Sequence, residues 1–260
     1  MKKGKKIYEG KAKILFASND KNLVIQHFKD DATAFNNQKK GNIEGKGILN
    51  NRISEHILSA LNEVGIENHL VKRLNMREQL IDLVDIIPIE FVVRNIVTGS
   101  LTKRLDIEDG TKLNKPLIEF YYKSDKLEDP LISKEHIYAF EWSNSQEINY
   151  ITEQCFRIND FLLGMFKGVR IKLIDFKIEF GKRKSDNKII LADEISPDTC
   201  RLWDADTDKK LDKDRFRKDL GDVVEGYQEV ARRLGILQEQ SSNIRPIKFP
   251  KPTEVKIKKK

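Results

Sequence analysis

Residues 173–181 alternate between apolar and charged side chains, and this pattern constrains the fold more than any other in the chain. The side chains of a strand point alternately to the two faces of a sheet, so each set shares one face. The apolar set is Ile174, Phe176, Ile178 and Phe180, and the charged set is Asp175, Lys177 and Glu179. We therefore expect a strand whose register is fixed by a buried apolar face and whose other face presents charge.

A second acidic pair follows a short distance along the chain. Residues 191–201 predict a returning strand that carries Asp193 and Glu194, joined to the first strand by the polar turn 182–187. Carboxylates from two adjacent strands can converge on one point, which is how many proteins hold Mg²⁺ against nucleotide phosphates. The alternation does not choose between Asp193 and Glu194, because neighbouring residues of a strand point to opposite faces.

A solvated hairpin with alternating surface charge would explain the same residues. Against that interpretation, Asp175 and Glu179 share a face with only Lys177 between them. Like charges on a sheet repel unless a cation neutralises them. The hairpin is therefore our hypothesis for a metal and phosphate site.

Composition places the chain among globular proteins with a heavily charged surface. Of its 260 residues, 39% are hydrophobic and 34% charged, and the net charge of +7 lies largely at the two ends. A basic balance suits nucleic acid or a membrane surface, and equally an enzyme with nucleotide or sugar phosphate substrates. Two unpaired cysteines, no signal peptide and no membrane-length apolar run predict a cytoplasmic protein without a membrane partner.

Local patterns predict the main elements of the chain. Apolar and β-branched residues at 7–16 and 23–28 predict two strands of an antiparallel hairpin, and the polar, glycine-containing residues 36–47 predict a mobile loop. Apolar residues at helical spacing predict helices over residues 48–64, 153–166 and 216–234.

We expect these elements to form two lobes and a tail. Residues 1–85 would be a β-rich N-terminal lobe that binds nucleotide, residues 86–240 a larger α+β lobe that binds substrate and metal, and residues 241–260 a basic tail. The apolar run 82–93, which Pro88 interrupts, is the expected connector into a buried strand, with a hinge near residues 86–89.

Standard nucleotide signatures are absent from the sequence. Residues 41–47 resemble a P-loop but have one residue too few between the glycines, and no serine or threonine follows Lys46. No GxGxxG, HExxH or GxSxG motif and no His-Arg-Asp catalytic loop occurs. Hydride transfer, zinc hydrolysis and serine-type acyl transfer therefore lose support.

Two basic motifs each allow two interpretations. Gly10 lies in an apparent strand with Lys11 and Lys13 alternating onto one face, where they could meet nucleotide phosphates, although these residues alone favour exposed lysines on an edge strand. Arg94 ends a predicted strand, and Ser100 would cap a short helix, which together suit a phosphate or carboxylate. An ordinary cap with a surface arginine explains that spacing equally well.

An ordered set of segments resembles the SAICAR synthetase (phosphoribosylaminoimidazole-succinocarboxamide synthase) family of purine biosynthesis. The segments are residues 8–13, 46–52, 92–95 with 99–101, 175–181, 193–198 with 201–204, and 214–217. The resemblance implies a two-lobed α+β ATP-binding fold. It also implies an ATP-dependent ligase that joins L-aspartate to the carboxylate of carboxyaminoimidazole ribonucleotide through an acyl phosphate, giving SAICAR, ADP and phosphate.

For the nucleotide, the resemblance implies that Lys11 and Lys13 lie near the ATP phosphates and that residues 83–87 receive adenine. It implies Glu179 and Asp193 as the Mg²⁺ ligands. A homodimer is the form common in the family.

For the substrate, the resemblance implies that Arg94, Ser100 and Arg201 hold the phosphate of the ribonucleotide. Lys177 would be catalytic by neutralising charge at the reacting carboxylate, with Asp175 orienting groups on the same face. The resemblance assigns no residue to L-aspartate. The glycine-rich loop before Gly47 is the candidate lid that would close over the substrates.

Two alternatives remain at this stage. A small-molecule or lipid kinase would share the lobes and metal carboxylates but needs a base for a hydroxyl acceptor. A nucleic-acid-binding module would explain the charged ends, although the sequence lacks the aromatic and basic stripe typical of such binding. We therefore expect no nucleic-acid partner.

Overall fold

A computed structural model describes residues 2–34 and 39–237 of the chain. The strands are β1 (Lys6–Glu9), β2 (Lys13–Ala17), β3 (Leu23–Phe28), β4 (Asp31–Ala34), β5 (Lys39–Asn42), β6 (Leu70–Arg73), β7 (Glu78–Asp82), β8 (Val84–Ile96), β9 (Lys112–Tyr122), β10 (Leu131–Ile132), β11 (Ile171–Arg183), β12 (Ile189–Ala192) and β13 (Cys200–Asp204). The helices are α1 (Lys46–Glu63), α2 (Ser100–Leu105), α3 (Lys134–Ala139), α4 (Ser145–Gly168), α5 (Asp214–Arg217) and α6 (Val223–Arg233), with a 3₁₀ turn at Asp125–Leu127. No helix within these ranges is long and apolar enough to cross a membrane.

The first sheet is antiparallel, with strand order β1-β2-β3-β7-β6. The predicted hairpin between β2 and β3 is present, but the prediction of one strand over residues 7–16 is wrong. The chain turns at Gly10, whose N–H donates to the Lys13 carbonyl at 2.9 Å, and β1 folds back onto β2. Lys11 consequently lies in a turn, and the alternation that placed it on one face with Lys13 does not apply.

The second sheet has the order β10-β9-β8-β11-β12, and β13 pairs with the first half of β11. As the alternation predicted, Phe176, Ile178 and Phe180 of β11 are buried in the hydrophobic core. Helix α4 covers this apolar face, and the ring of Phe91 packs edge-to-face on Phe180 at 5.5 Å. Burial of this face fixes the register of β11 and leaves the charged set on the opposite side.

Two element predictions in the C-terminal part are wrong. Strand β12 ends at Ala192, so Asp193 and Glu194 follow the strand instead of lying on it, and Asp193 takes a left-handed backbone with φ 62°. The predicted helix over 216–234 is broken into α5 and α6. Asp219, Gly221 and Asp222 each have a positive φ, which the backbone of a continuous right-handed helix does not accommodate.

The predicted loop at 36–47 is partly structured. Residues 39–42 form β5, which pairs with β4, and Lys46 and Gly47 already belong to α1. Residues 35–38 of the candidate lid and the basic tail 241–260 lie outside the described residues.

The two sheets follow each other almost without a gap. Strand β7 ends at Asp82 and β8 begins at Val84, so Leu83 alone connects them. The Leu83 N–H donates to the Asn22 carbonyl at 2.7 Å, and its carbonyl accepts from the Lys184 N–H at 2.9 Å. The predicted interruption at Pro88 appears as an irregular register between β8 and β11, because proline has no N–H for the ladder.

His69 joins the sheets through its main chain, donating to the Leu191 carbonyl at 2.9 Å and accepting from the Asp82 N–H at 2.8 Å. Its ring is buried, and its Nε2 has no hydrogen-bond partner among the described residues. Burial, with the nearby Lys13 charge, lowers the pKa of His69 to about 3. The imidazole is therefore neutral in the folded protein.

This burial predicts acid sensitivity of folding. Below the ordinary histidine pKa of 6.5 the unfolded chain binds a proton that the folded chain does not, so stability is lost as the pH falls. Between about pH 6.5 and about pH 4 the loss from this group is about 3 kcal/mol. Over the same pH range, urea unfolding should show a smaller loss of unfolding free energy for His69→Leu than for wild type. His56→Leu, at an exposed site on α1, should lose as much as wild type, and equal losses in all three proteins would contradict the account.

Candidate active site

A cavity of about 310 Å³ lies over the charged face of β11. Strand β8, the loop between β12 and β13, and residues of α5 form its other walls. Of the residues predicted from sequence, its lining includes Lys11, Arg94, Asp175, Lys177 and Arg201. The others, Lys13, Ser100, Glu179 and Asp193, reach the same region through the contacts described below.

Asp175 holds two arginines at one end of the cavity. In the sheet register Asp175 is paired with Arg94 of β8 on one side and Arg201 of β13 on the other. Its Oδ2 accepts a hydrogen bond from Nη1 of each arginine at 2.7 Å. Asp175 and Arg94 are buried, so this carboxylate offsets two guanidinium charges that are largely removed from water.

Further acidic groups fix the directions of the two arginines. Arg94 Nε donates to Glu119 Oε2 at 2.7 Å, and Arg201 Nε donates to Asp214 Oδ2 at 3.1 Å. Sequence reasoning missed Glu119 and Asp214 as partners, because they come from elements distant in the chain. Both guanidiniums are held in fixed orientations, which suits an anion such as a carboxylate or phosphate that accepts several hydrogen bonds at once.

Ser100 is the first residue of α2, and the predicted N-cap position is occupied by Gly99 instead. The Ser100 Oγ accepts from Arg94 Nη2 at 3.3 Å. Gly99 has φ 62° and ψ −127°, a conformation that only glycine adopts readily. A Cβ at this position would lie 2.7 Å from Nη2 of Arg201, so the backbone is held against the guanidinium.

Gly99→Ala is therefore expected to displace Arg201. The strained φ and the clash together should cost about 1–3 kcal/mol of stability and raise the KM for the ligand bound by the arginine pair about tenfold. Gly164→Ala is the matched control, since it lies inside α4 with open space around the added methyl group. Thermal unfolding and steady-state kinetics of both variants check the prediction, which fails if they behave alike.

Lys177 is surrounded by carboxylates. Its Nζ lies 3.0 Å from Glu90 Oε1, 2.8 Å from Glu179 Oε1 and 3.4 Å from Asp193 Oδ2. Burial opposes the charge of this amine, but Glu179 and Glu90 outweigh it and raise the pKa of Lys177 above its usual range. Glu90 and Glu179 are paired directly across β8 and β11, so the ammonium offsets a repulsion between neighbouring strands.

Glu179 and Asp193 meet at Lys177, because Glu179 pairs with Ala192 and Asp193 comes next in the chain. Glu179 also contacts Lys123 at 2.6 Å. Burial alone would raise the pKa of Glu179, but Lys177 and Lys123 lower it to about 2. The two carboxylates predicted as metal ligands therefore lie together, and Glu179 is ionised.

Lys13 brings the first sheet to the same cluster. Its amine forms an ion pair with Asp193 and lies 3.2 Å from Glu194 Oε1, so both acidic residues that alternation left open face one cation. The left-handed Asp193 makes this possible, because strand alternation has ended. Lys11 is separate, with its amine 2.7 Å from Asp125 Oδ1 at the rim of the cavity.

A buried ion pair beside the cavity, which Asp198 helps to line, was not predicted. The Lys46 amine, with 1% of its side chain exposed, donates to Asp198 Oδ2 at 2.6 Å. The Tyr227 hydroxyl donates to Asp198 Oδ1, also at 2.6 Å. These contacts lower the pKa of Asp198 although burial alone would raise it. Sequence reasoning placed Lys46 in a failed P-loop and in one segment of the family resemblance but gave it no partner. Nothing local indicates that a lysine at the start of α1 is buried.

Comparisons with known proteins agree with this fold. The family model for SAICAR synthetase matches residues 6–234. The phosphoribosylaminoimidazole-succinocarboxamide synthase of Pelagibacter ubique is 68% identical over 261 residues, covering 100% of both chains.

Two solved structures share the fold. The crystal structure of the synthase from Ehrlichia chaffeensis has a TM-score of 0.89 at 53% identity, covering 90% of this chain and 100% of that one. A type-2 SAICAR synthetase in complex with ADP has a TM-score of 0.86 at 43% identity, covering 90% of this chain and 99% of that one. The predicted α+β fold and the resemblance drawn from the motifs are both confirmed, and the chain belongs to the SAICAR synthetase family.

Proposed function

We propose that this protein is the ATP-dependent ligase that joins L-aspartate to the carboxylate of carboxyaminoimidazole ribonucleotide, giving SAICAR, ADP and phosphate in purine biosynthesis. The observation that carries the proposal is the family match across residues 6–234. The cavity supports it, because cations held by fixed carboxylates line a space open to an anionic substrate. The family match favours this ligase over the kinase alternative.

The reaction passes through an acyl phosphate. An oxygen of the substrate carboxylate attacks the γ-phosphorus of ATP, and the bond from that phosphorus to the bridging oxygen of ADP breaks. The amine of L-aspartate then attacks the carboxyl carbon, and phosphate leaves with the oxygen that joined it to that carbon. A free carboxylate is a poor acyl donor to an amine because it lacks a good leaving group, whereas the acyl phosphate has one.

Lys177 neutralises charge where the carboxylate and the phosphoryl group meet. Its raised pKa keeps it cationic, and its three carboxylate neighbours hold the amine in place in the cavity lining. A positive charge fixed before the reaction costs little reorganisation when negative charge develops in the transition state. Asp175 orients the neighbouring arginines without contacting Lys177.

Arg94, Ser100 and Arg201 bind the phosphate of the ribonucleotide. The two guanidiniums converge on Asp175 from opposite sides, and Arg201 keeps 19% of its side chain exposed toward the cavity. Binding of a phosphate there adds charge-assisted hydrogen bonds to donors whose positions are already fixed.

Lys11, Lys13 and the connector at residues 83–87 bind ATP. One relative with the same fold is described in complex with ADP, which supports a nucleotide in this region. Lys13 reaches the carboxylate cluster and Lys11 lines the cavity, so both amines can meet phosphates on the same side of β11.

Glu179 and Asp193 hold Mg²⁺ in this proposal. No cluster of three or more metal-binding side chains occurs among residues 2–34 and 39–237, but Mg²⁺ commonly uses one or two protein carboxylates together with substrate phosphates. The carboxylate cluster carries one net negative charge, because it contains four carboxylates and three lysines. The carboxylates are Glu90, Glu179, Asp193 and Glu194, and the lysines are Lys13, Lys123 and Lys177. The donor set therefore fits a divalent cation, which when bound would neutralise phosphate charge.

We further propose the organisation expected from the sequence. Residues 1–85 form the nucleotide-binding lobe, residues 86–240 the substrate and metal lobe, and residues 241–260 a basic tail. The enzyme works in the cytoplasm as a homodimer, with small-molecule substrates and no nucleic-acid or membrane partner.

A coupled ADP-release assay tests the proposed function. With ATP, Mg²⁺ and enzyme, steady release of ADP is expected only when both carboxyaminoimidazole ribonucleotide and L-aspartate are present. Release that needs no ribonucleotide, or that is unaffected by aspartate at every concentration, would contradict the ligase. Release supported by small-molecule alcohols when both the ribonucleotide and aspartate are omitted would support the kinase.

A further inference from the structure

A polar residue lies on the apolar face of α4. Asn159 is fully buried, and its helix neighbours Ile158 and Leu162 belong to the hydrophobic core. Burial of an amide without a partner is unfavourable, because its hydrogen bonds to water are lost. The side chain of Asn159 therefore needs a polar partner inside the protein.

The partner is Asn95, the residue that follows Arg94 on β8. Asn95 Nδ2 donates to Asn159 Oδ1 at 2.8 Å, and Asn159 Nδ2 donates to Asn95 Oδ1 at 3.2 Å. Each amide therefore donates one hydrogen bond and accepts one. This reciprocal contact, here called the amide pair, joins α4 to the end of β8 across 64 residues of sequence.

The amide pair lies where β8 leaves its neighbouring strands. The pairing of β8 with β11 ends at Arg94, opposite Asp175, and the register between β8 and β9 shifts between Arg94 and Ile96. The main chain therefore leaves regular pairing at Asn95, and such a break weakens the constraint that a strand ladder imposes on the backbone. The contact from α4 fixes the chain at this point instead.

The residues around Asn95 are those assigned to the ribonucleotide phosphate. Arg94 precedes it, and Nη1 of Arg94 also donates to the Thr98 carbonyl at 3.4 Å. Ser100 follows, and its Oγ accepts from Nη2 of the same arginine at 3.3 Å. The positions of both phosphate-binding side chains thus depend on the path of residues 94–100. A shift of Asn95 would displace them together.

We propose, resting on the ligase function above, that Asn159 is a positioning residue for the ribonucleotide. It holds the Asn95 amide and so fixes the segment that presents Arg94 and Ser100 to the phosphate. Asn95 and Asn159 are not among the described residues that line the cavity, so their effect is indirect. Groups that are held in place before the ligand arrives bind it at a smaller cost in free energy.

Asn159→Leu removes the amide and keeps a side chain of similar size in the core. The KM for the ribonucleotide should rise about tenfold, because the phosphate-binding groups lose their fixed position. The KM values for ATP and L-aspartate should change less than about threefold. Asn149→Leu is the matched control, since Asn149 is exposed on the same helix, and it should match wild type.

A double-mutant cycle tests whether the amide pair acts as a unit. Asn95→Ala should raise the same KM, and the variant with both Asn95→Ala and Asn159→Leu should be no worse than the larger single effect. Calorimetry of ribonucleotide binding without ATP should show the same losses of affinity. Additive effects of the two substitutions would show that they act separately and would overturn the proposal.

Thermal unfolding separates positioning from folding. Kinetics are measured at a temperature at which the unfolding curves show each variant to be folded. If Asn159→Leu does not fold, Asn95→Ala at its half-buried position gives the same test. A lower unfolding temperature with an unchanged KM for the ribonucleotide would mean that the amide pair serves stability alone, which contradicts the proposal.

Failure of this proposal is distinguishable from failure of the ligase function. An unchanged KM for the ribonucleotide, or an equal rise in the KM for ATP, would overturn the role of Asn159 and leave the ligase intact. If wild type itself shows no ADP release that depends on the ribonucleotide, the proposed function fails first, and the role of Asn159 fails with it.

Discussion

Replacing Lys177 by methionine is expected to lower kcat by about 10²–10³-fold with a much smaller effect on the KM for ATP. The amine contacts Glu90, Glu179 and Asp193, and it lines the cavity where the carboxylate must meet ATP. Its removal eliminates the fixed positive charge at the reacting groups and leaves neighbouring carboxylates uncompensated. Both consequences raise the energy of a transition state in which negative charge develops.

Lys172→Met controls for the loss of a lysine on the same strand. Lys172 lies on β11 and pairs with Asp208 at 2.8 Å, with 39% of its side chain exposed. It does not line the cavity, so kcat should stay close to that of wild type. Single-turnover measurement of ADP formation shows whether the defect lies in the chemical step. A decrease in kcat of less than about tenfold for Lys177→Met would contradict the catalytic role.

Asp175→Asn is expected to reduce both stability and ribonucleotide affinity. One oxygen of Asp175 accepts from Arg94 and Arg201, each at 2.7 Å, and the side chain is buried. An asparagine keeps the shape but leaves two guanidiniums close together without the charge between them. Removing one partner of a buried ion pair lowers the free energy of unfolding by about 3–5 kcal/mol. Because the arginines keep their contacts to Glu119 and Asp214, we expect a loss of about 3 kcal/mol for this variant.

The loss of orientation should raise the KM for the ribonucleotide at least about tenfold, because the arginines no longer share one anchor. Asp206→Asn is the control, since Asp206 pairs with Arg170 at an exposed site where an ion pair contributes less than about 1 kcal/mol. Urea unfolding and steady-state kinetics measure both effects. Equal stability of the two variants, or an unchanged KM in Asp175→Asn, would show that Asp175 does not hold the arginines in solution.

Local periodicity was enough to predict the elements that are buried on one face. The alternation around Phe176 and Ile178 gave the correct faces of β11, and apolar spacing gave α1 and most of α4. These patterns are readable because burial of one face imposes a fixed period on the residues. Breaks in a pattern were harder to predict, as at Gly10 and at residues 218–222, where a turn interrupts residues whose apolar spacing continues.

The candidate site was predictable where its residues lie on one strand or within a recognisable motif. Glu179 and Asp175 followed from alternation, but the meeting of Glu179 with Asp193 depends on the register of β12 and the left-handed turn after it. The pairing of Lys46 with Asp198, 152 residues later, depends on tertiary packing that no local period records.

Transfer of an oxygen isotope tests the acyl phosphate most directly. Carboxyaminoimidazole ribonucleotide labelled with ¹⁸O in its carboxylate is converted with ATP and L-aspartate, and the phosphate released is analysed by mass spectrometry. If the carboxylate attacks the γ-phosphorus and phosphate leaves on amide formation, each phosphate carries one labelled oxygen. Phosphate without label, whose fourth oxygen comes from water, would contradict an acyl phosphate and the role given to this site.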